Sequence, residues 1–257
     1  MLEIEFFQLT DPGCVREVNE DAIGHWPHED GMLFAVADGV GGHAAGQVAS
    51  SLVIEILGRE MERAPGGWPV LKRLKRAVQE ANLEVYNKAI AVPELRGMAT
   101  TLTATAVVGG TLAAVHVGDC RLFLVRDGTL TQLTKDHTWV GEQVQYGLLS
   151  AEDARKHPKR HVINRCLGRE LIPALDLLTI DLRPGDVLAQ MSDGIHAALP
   201  ETEIAGILVS ERAEPACGAL VRRGRDAGGE DNLSVQVAMV LSCDARPPTR
   251  PWWRFRR

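Results

Sequence analysis

Carboxylates recur in this chain where apolar runs give way to small residues. Phe34-Ala35-Val36-Ala37 leads into Asp38-Gly39, and Val115-His116-Val117-Gly118 leads into Asp119. Leu188-Ala189-Gln190-Met191-Ser192 leads into Asp193-Gly194, and Asp231-Asn232 stands directly before the apolar run 233–241. A further acidic pair, Glu20-Asp21, precedes Ala22-Ile23. A lone Asp-Gly is most simply a turn, and Asp127-Gly128 and Asp30-Gly31 are read only as turns. The set is harder to dismiss. A carboxylate at the end of a central strand must be paired or must hold a cation. Several carboxylates with no neighbouring cysteine and few histidines make a hard oxygen site, which favours Mg²⁺ or Mn²⁺ over zinc or copper. Glycine after Asp38 and Asp193 lets a backbone carbonyl or a water approach closely. Two cations about 3.5–4 Å apart suit in-line phosphoryl displacement, because they acidify a shared water and clamp both ends of the reaction. The phosphate also needs a bidentate cation, and Arg16, four residues before Glu20, is either that group or a plain surface arginine.

The elements that must position these residues follow from periodicity. The first third reads strand, strand, helix, helix. Residues 33–37 form a short buried strand, 44–61 has helical spacing (Val48, Leu52, Ile56), and after Pro65-Gly66-Gly67 the segment 71–90 is a second helix. Segments 99–108 and 111–117 flank Gly109-Gly110, and 121–126 and 129–134 flank Asp127-Gly128, both hairpin signals. Residues 138–170 are more polar, with Ser150 as an N-cap and His157-Pro158 as a stop. Two more strands lie at 175–182 and 187–191, helices at 201–209 and 215–226, and a last strand at 233–241. Paired helices and antiparallel groups of strands indicate an α+β fold rather than regular βαβ alternation.

Composition bounds the function. The chain has 257 residues, which favours one large domain, and a formal charge of −6. Five arginines and no acid lie in 246–257, so the rest of the chain carries −11 and offers no basic groove to nucleic acid. Glu3 and Glu5 interrupt the N-terminal apolar residues, which argues against a secretory signal. The uncharged stretch 97–118 has the length of a membrane span but carries five threonines and a central Gly-Gly, and reads as a hairpin. The five cysteines are scattered, lack CxxC spacing and fit reduced thiols in a cytoplasm.

Seven motifs occur in order: RxxNEDA from Arg16, VADGVGGHAAGQVAS from Val36, ATTLTA from Ala99, VGDCRLFLVRDG from Val117, LTKDHT from Leu133, MSDGI from Met191 and GGEDNLSV from Gly228. Together they resemble the bacterial metal-dependent Ser/Thr protein phosphatases of type 2C. The resemblance covers about residues 8–241. It implies a four-layer αββα sandwich of two antiparallel sheets with a binuclear Mn²⁺/Mg²⁺ centre at one end. By position, Asp38 is similar to the bridging ligand and Gly39 to a carbonyl ligand. Asp193 and Asp231 would complete the first ion, and Glu20 would serve the second. Asp21 would accept from metal-bound water. Asp119, with Asp193, would hold a weaker third ion. Arg16 resembles the phosphate-binding arginine, and 138–170 the flap beside the site. Val40 stands where eukaryotic members often have a histidine, so the proton donor is left between His43 and metal-bound water. His43 equally suits the start of the following helix.

The expected activity is hydrolysis of phosphoserine or phosphothreonine by a metal-bridging hydroxide, without a phosphoenzyme. Residues 1–243 would form the catalytic domain and 244–257 a basic, aromatic tail. Expected partners are phosphorylated proteins and a bacterial Hanks-type kinase, with no nucleic acid, no transmembrane segment and a monomeric chain. The rival readings are a catalytically silent phosphoprotein-binding module on the same fold and, last, a two-metal nuclease. The basic run 155–161 is either an attractor for phosphorylated loops or a solvated face. The tail is a membrane-surface or docking segment, or it packs back on the body or stays mobile.

Overall fold

Two facing sheets organise the chain, seen in a computed structural model that describes residues 2–28, 31–41 and 45–243. Three strands, not two, precede the first helix: β1 (Glu3–Asp11), β2 (Asp21–His28) and β3 (Gly31–Val40). Polar and acidic residues interleave along β1, so it presents no continuous apolar run to the eye. Then come α1 (Ala45–Arg63), α2 (Val70–Ala91), the two-residue β4 (Ala99–Thr100), β5 (Leu102–Val108), β6 (Thr111–Val117), β7 (Arg121–Arg126) and β8 (Thr129–Gln132). The remainder comprises α3 (Trp139–Gln145), α4 (Ala151–Lys156), β9 (Asp176–Asp181), β10 (Val187–Met191), α5 (Asp193–Ala198), α6 (Glu201–Ser210), α7 (Ala213–Asp226) and β11 (Leu233–Ser242).

One sheet runs β1-β11-β10-β7-β8 and the other β2-β3-β5-β6-β9, with β4 paired to β3, and every pairing is antiparallel. Both hairpin signals hold. Gly109 and Gly110 adopt φ of +54° and +82°, and Asp127 and Gly128 +52° and +74°. That is the mirror-image turn geometry which matches strand twist. Three apolar cores define four layers. Leu33, Ala35 and Ala37 pack under α1 and α2. Phe123, Ala189, Met191, Val235 and Val237 pack under α5, α6 and α7. Phe34, Leu122, Leu188, Ala238 and Val240 fill the space between the sheets. The fold is therefore an α+β sandwich with helices outside both sheets. Among the described residues no helix is long and apolar enough to cross a membrane.

The space between the sheets grades in polarity toward one end. Strand side chains alternate faces, so every second residue points into it. Phe6, Ala238 and Leu188 form one aligned rung, and Gln8, Gln236 and Gln190 the next. The Gln190 amide donates to Gln236 at 2.6 Å, the Gln236 amide to Gln8 at 2.6 Å, and the Thr105 hydroxyl of the opposite sheet to Gln190 at 2.9 Å. The rung beyond holds Thr10 opposite Ser234, with Ser192 N–H bonded to the Ser234 carbonyl at 3.0 Å. The candidate carboxylates stand past that rung.

Candidate metal centre

Asp38 is not at the end of its strand. A two-residue pairing of Gly39 with Thr100 and Val40 with Ala99 carries β3 past it. The Asp38 carbonyl accepts from Thr101 N–H at 2.9 Å and from the Thr100 hydroxyl at 2.8 Å, while Asp38 N–H donates to Thr101 Oγ1 at 3.1 Å. Asp38 therefore has little freedom of backbone. Directly across the β2–β3 ladder stands Asp21. Like charges in that cross-strand position repel, so this register is costly unless a proton or a cation intervenes.

Glu20 precedes β2. Its N–H donates to Asn232 Oδ1 at 2.8 Å, and its carbonyl accepts from Gly39 N–H at 3.1 Å. Only glycine fits there. A Cβ on Gly39 would lie 2.4 Å from Gly46 and 2.7 Å from the Glu20 carbonyl, and one on Gly46 would lie 2.7 Å from Glu20 Oε1. Asp119 follows β6 in a bend. Gly118 beside it has φ of +107°, and a Cβ there would sit 2.3 Å from Thr101 Cβ. His137 holds Gly118 from both sides, its N–H donating to the Gly118 carbonyl at 2.7 Å and its Nδ1 accepting Gly118 N–H at 3.0 Å. His196 Nε2 bonds the Asp119 carbonyl at 2.9 Å.

Asp193 opens α5 instead of merely ending β10. Asp231 lies in the bend before β11 and forms an ion pair with Arg16 at 2.8 Å. Asn232 does more than orient its neighbour: besides accepting from Glu20, its amide donates to the carbonyls of Pro12 at 3.0 Å and Val18 at 3.1 Å. It thus ties the whole Arg16 loop to β11. His43 lies outside the described residues, as do Asp30 and the tail 244–257. Sequence reasoning missed Thr100, Thr101, His137, His196, Ser192 and Ser234, which hold the acids. For Ser234 the signal is a polar residue in the otherwise apolar β11; Thr101, His137, Ser192 and His196 lie outside the strands and carry no such signal.

The electrostatics are those of acids crowded by burial. Burial, then repulsion from Asp21, Asp193, Asp119 and Asp231, pushes the Asp38 carboxyl well above the usual carboxylate range. Burial and the Asp193 charge do the same to Asp119. Burial raises Asp21 to about 7, against hydroxyl bonds from Ser234 and Ser192 that favour its charge. Burial and Asp231 raise Asp193. Buried Asp119 Oδ1 has no hydrogen-bond partner. An orphaned carboxylate oxygen beside Asp38 and Asp193 fits a hard divalent cation in the donor set. Among the described residues no three His, Cys, Asp or Glu side chains already close around one point; Asp231 is turned to Arg16.

Beside Asp119 and Asp193 opens a cavity of about 430 Å³, roofed by Val140, Val144 and Ala154 of α3 and α4. The basic run there is mostly engaged. Arg155 pairs with Glu201 at 3.7 Å, Lys156 with Glu152 at 2.8 Å, and His157 and Lys159 lie on the Trp139 ring.

Known proteins similar to this chain share its fold. The family model described as protein phosphatase 2C matches residues 15–237. "Serine/threonine protein phosphatase PstP" of Mycobacterium tuberculosis is 40% identical over 245 residues, which cover 95% of this chain and 46% of that protein. The chain thus spans about half the length of that relative. "Serine/threonine phosphatase stp" of Listeria welshimeri is 35% identical over 231 residues, covering 88% of this chain and 92% of that one. The PstP catalytic domain solved "in complex with 2 Manganese ions" superposes with a TM-score of 0.84 at 37% identity, covering 94% of this chain and all of that chain. Stp1 of Staphylococcus aureus superposes at 0.86 with 31% identity, covering 93% of this chain and 95% of that one. With more than two thirds of its length inside the family model and its sheets superposing on solved members, the chain belongs to the protein phosphatase 2C family.

Proposed function

We propose that the protein is a metal-dependent protein serine/threonine phosphatase. The observation that carries the reading is the gathering of Asp21, Asp38, Asp119, Asp193 and Asp231 at one end of the sandwich, with Arg16 beside them, in a chain of this family. Glu20, Asp38, the Gly39 carbonyl, Asp193 and Asp231 would hold two Mn²⁺ or Mg²⁺ ions, and Asp119 with Asp193 a weaker third. Bound there, the cations supply an acidified water and positive charge against the phosphoryl oxygens. Arg16 binds those oxygens with its guanidinium fork, for which Asp231 is the present partner. Asp21 accepts a hydrogen bond from the attacking water at its carboxyl. Asn232 keeps Arg16 and Glu20 at a fixed separation by holding both ends of their loop. His43 is a candidate proton donor to the leaving alkoxide.

Residues 1–243 form the catalytic unit in this reading and 138–170 its flap. The substrates are phosphorylated proteins, the opposing enzyme a bacterial Ser/Thr kinase, and the chain a cytoplasmic monomer. The test is turnover of a phosphothreonine peptide with Mn²⁺. EDTA should abolish it, Mn²⁺ should restore it, and Asp38→Ala should lower kcat/KM by at least about 10²-fold. Unchanged turnover by Asp38→Ala would place catalysis elsewhere. Activity that survives EDTA but is lost on thiol alkylation would overturn the assignment.

A further inference from the structure

The inner rung next to the acids carries hydroxyls that converge on Asp21. Ser192 Oγ lies 2.7 Å from Asp21 Oδ2 and accepts the Ser234 N–H at 3.1 Å. With that lone pair occupied by a donor that cannot reverse, the Ser192 proton is free for Asp21. The Ser234 hydroxyl lies close enough to the Asp21 carboxyl to favour its charged form. Behind it, Ser234 Oγ and Thr10 Oγ1 are 2.8 Å apart, Asn19 Nδ2 donates to Thr10 Oγ1 at 2.8 Å, and Asp21 N–H donates to Asn19 Oδ1 at 3.1 Å. Because Asn19 Oδ1 takes the Asp21 N–H, the orientation of its amide is fixed. The direction that brings a proton to the Asp21 carboxyl runs from Asn19 to Thr10, from Thr10 to Ser234 and from Ser234 toward Asp21. The circuit starts and ends on Asp21, and crosses from the sheet holding Asp21 to the facing one.

A second observation points the same way. Ser192 occupies the N-cap position of α5 but makes no capping bond. A serine cap contributes about 1 kcal/mol to a helix. Here the hydroxyl is turned from its helix to Asp21. Both serines are fully buried.

We infer that Ser192 and Ser234, backed by Thr10 and Asn19, are positioning residues that hold the Asp21 carboxyl in a single acceptor orientation toward the cation site. The inference rests on the functional reading above and adds to it the groups that aim its innermost acid. Outer partners that orient a metal site typically cost 10–100-fold in affinity or activity when removed.

The test uses Mn²⁺ binding by electron paramagnetic resonance without substrate, alongside kcat and KM for p-nitrophenyl phosphate. Ser192→Ala/Ser234→Ala should weaken Mn²⁺ binding roughly 10-fold or more and lower kcat by a similar factor, leaving KM within about twofold. Ser192→Thr, which keeps the hydroxyl, should restore most of the loss. In an Asp21→Asn background the serine changes should have no further effect on Mn²⁺ binding, since they act through that carboxyl. Wild-type Mn²⁺ binding by the double variant, or losses that add to Asp21→Asn, would overturn the inference. Should the double variant fail to fold, Thr10→Val at the exposed end of the circuit replaces it. A smaller loss in the same direction supports the circuit, and none overturns it. A wild-type protein that binds no Mn²⁺ overturns the functional reading and this inference together, whereas a normal wild type with an unaffected variant overturns this inference alone.

Discussion

Asn232 shows how much one side chain can carry. Its amide serves Glu20, Pro12 and Val18, three points on the loop that bears Arg16. Asn232→Ala leaves those groups, on exposed or half-buried residues, to pair with water, at less than the about 1–3 kcal/mol of a buried unpaired group, and frees Arg16. We expect a lower melting temperature and a KM for p-nitrophenyl phosphate raised several-fold, with Mn²⁺ binding less affected; calorimetry and steady-state kinetics check both. The acids make a pH prediction. Asp38, Asp119, Asp193 and Asp21 have folded pKa values raised by burial and mutual repulsion, Asp21 to about 7. Between the unfolded value near 4 and the raised one the folded chain binds more protons. Cation-free protein should therefore lose stability as pH rises from about 4 to about 7. Burial holds His116 at about 4 and His196 at about 3, so these contribute stability that is lost as pH falls from 6.5. Melting curves with EDTA and with saturating Mn²⁺ separate the two: Mn²⁺ should remove the first slope and leave the second.

At the scale of elements, the close approach of α1 to β3 sets the position of Glu20. Gly46→Ala would favour the helix by up to about 1 kcal/mol on propensity alone. Its Cβ would, however, fall 2.7 Å from Glu20 Oε1. We expect a near-native melting temperature with Mn²⁺ affinity reduced about 10-fold, read by titration. Unchanged Mn²⁺ affinity would mean that Glu20 is not a ligand. The Asp127-Gly128 hairpin, by contrast, is a turn and nothing more, as its spacing predicts.

For the whole molecule, the grade from apolar to amide to hydroxyl to carboxylate between the sheets explains how a sandwich core can end in a charged site. Hydrogen-bonded glutamines and serines step the environment toward water, and each is satisfied by a neighbour. The last strand ends at Ser242, so the cores described above close before the tail. Deleting 246–257 should leave turnover of p-nitrophenyl phosphate and the melting temperature unchanged; a large fall in either would show that the tail supports the fold.

The sequence by itself determined the motif order and most element types, β1 excepted. Helical spacing in α1 and α2 and Gly-Gly and Asp-Gly between β-branched runs are local signals, written in neighbours a few residues apart. It marked Asp38, Asp119, Asp193 and Asp231 because each interrupts an apolar pattern. Only the tertiary structure decided that Asp21 faces Asp38, that Asn232 holds the Arg16 loop and that Ser192 turns from its helix to Asp21. Those relations join residues 17 to more than 200 positions apart. Strand order and register between distant segments follow from packing the two sheets together, which no local pattern encodes.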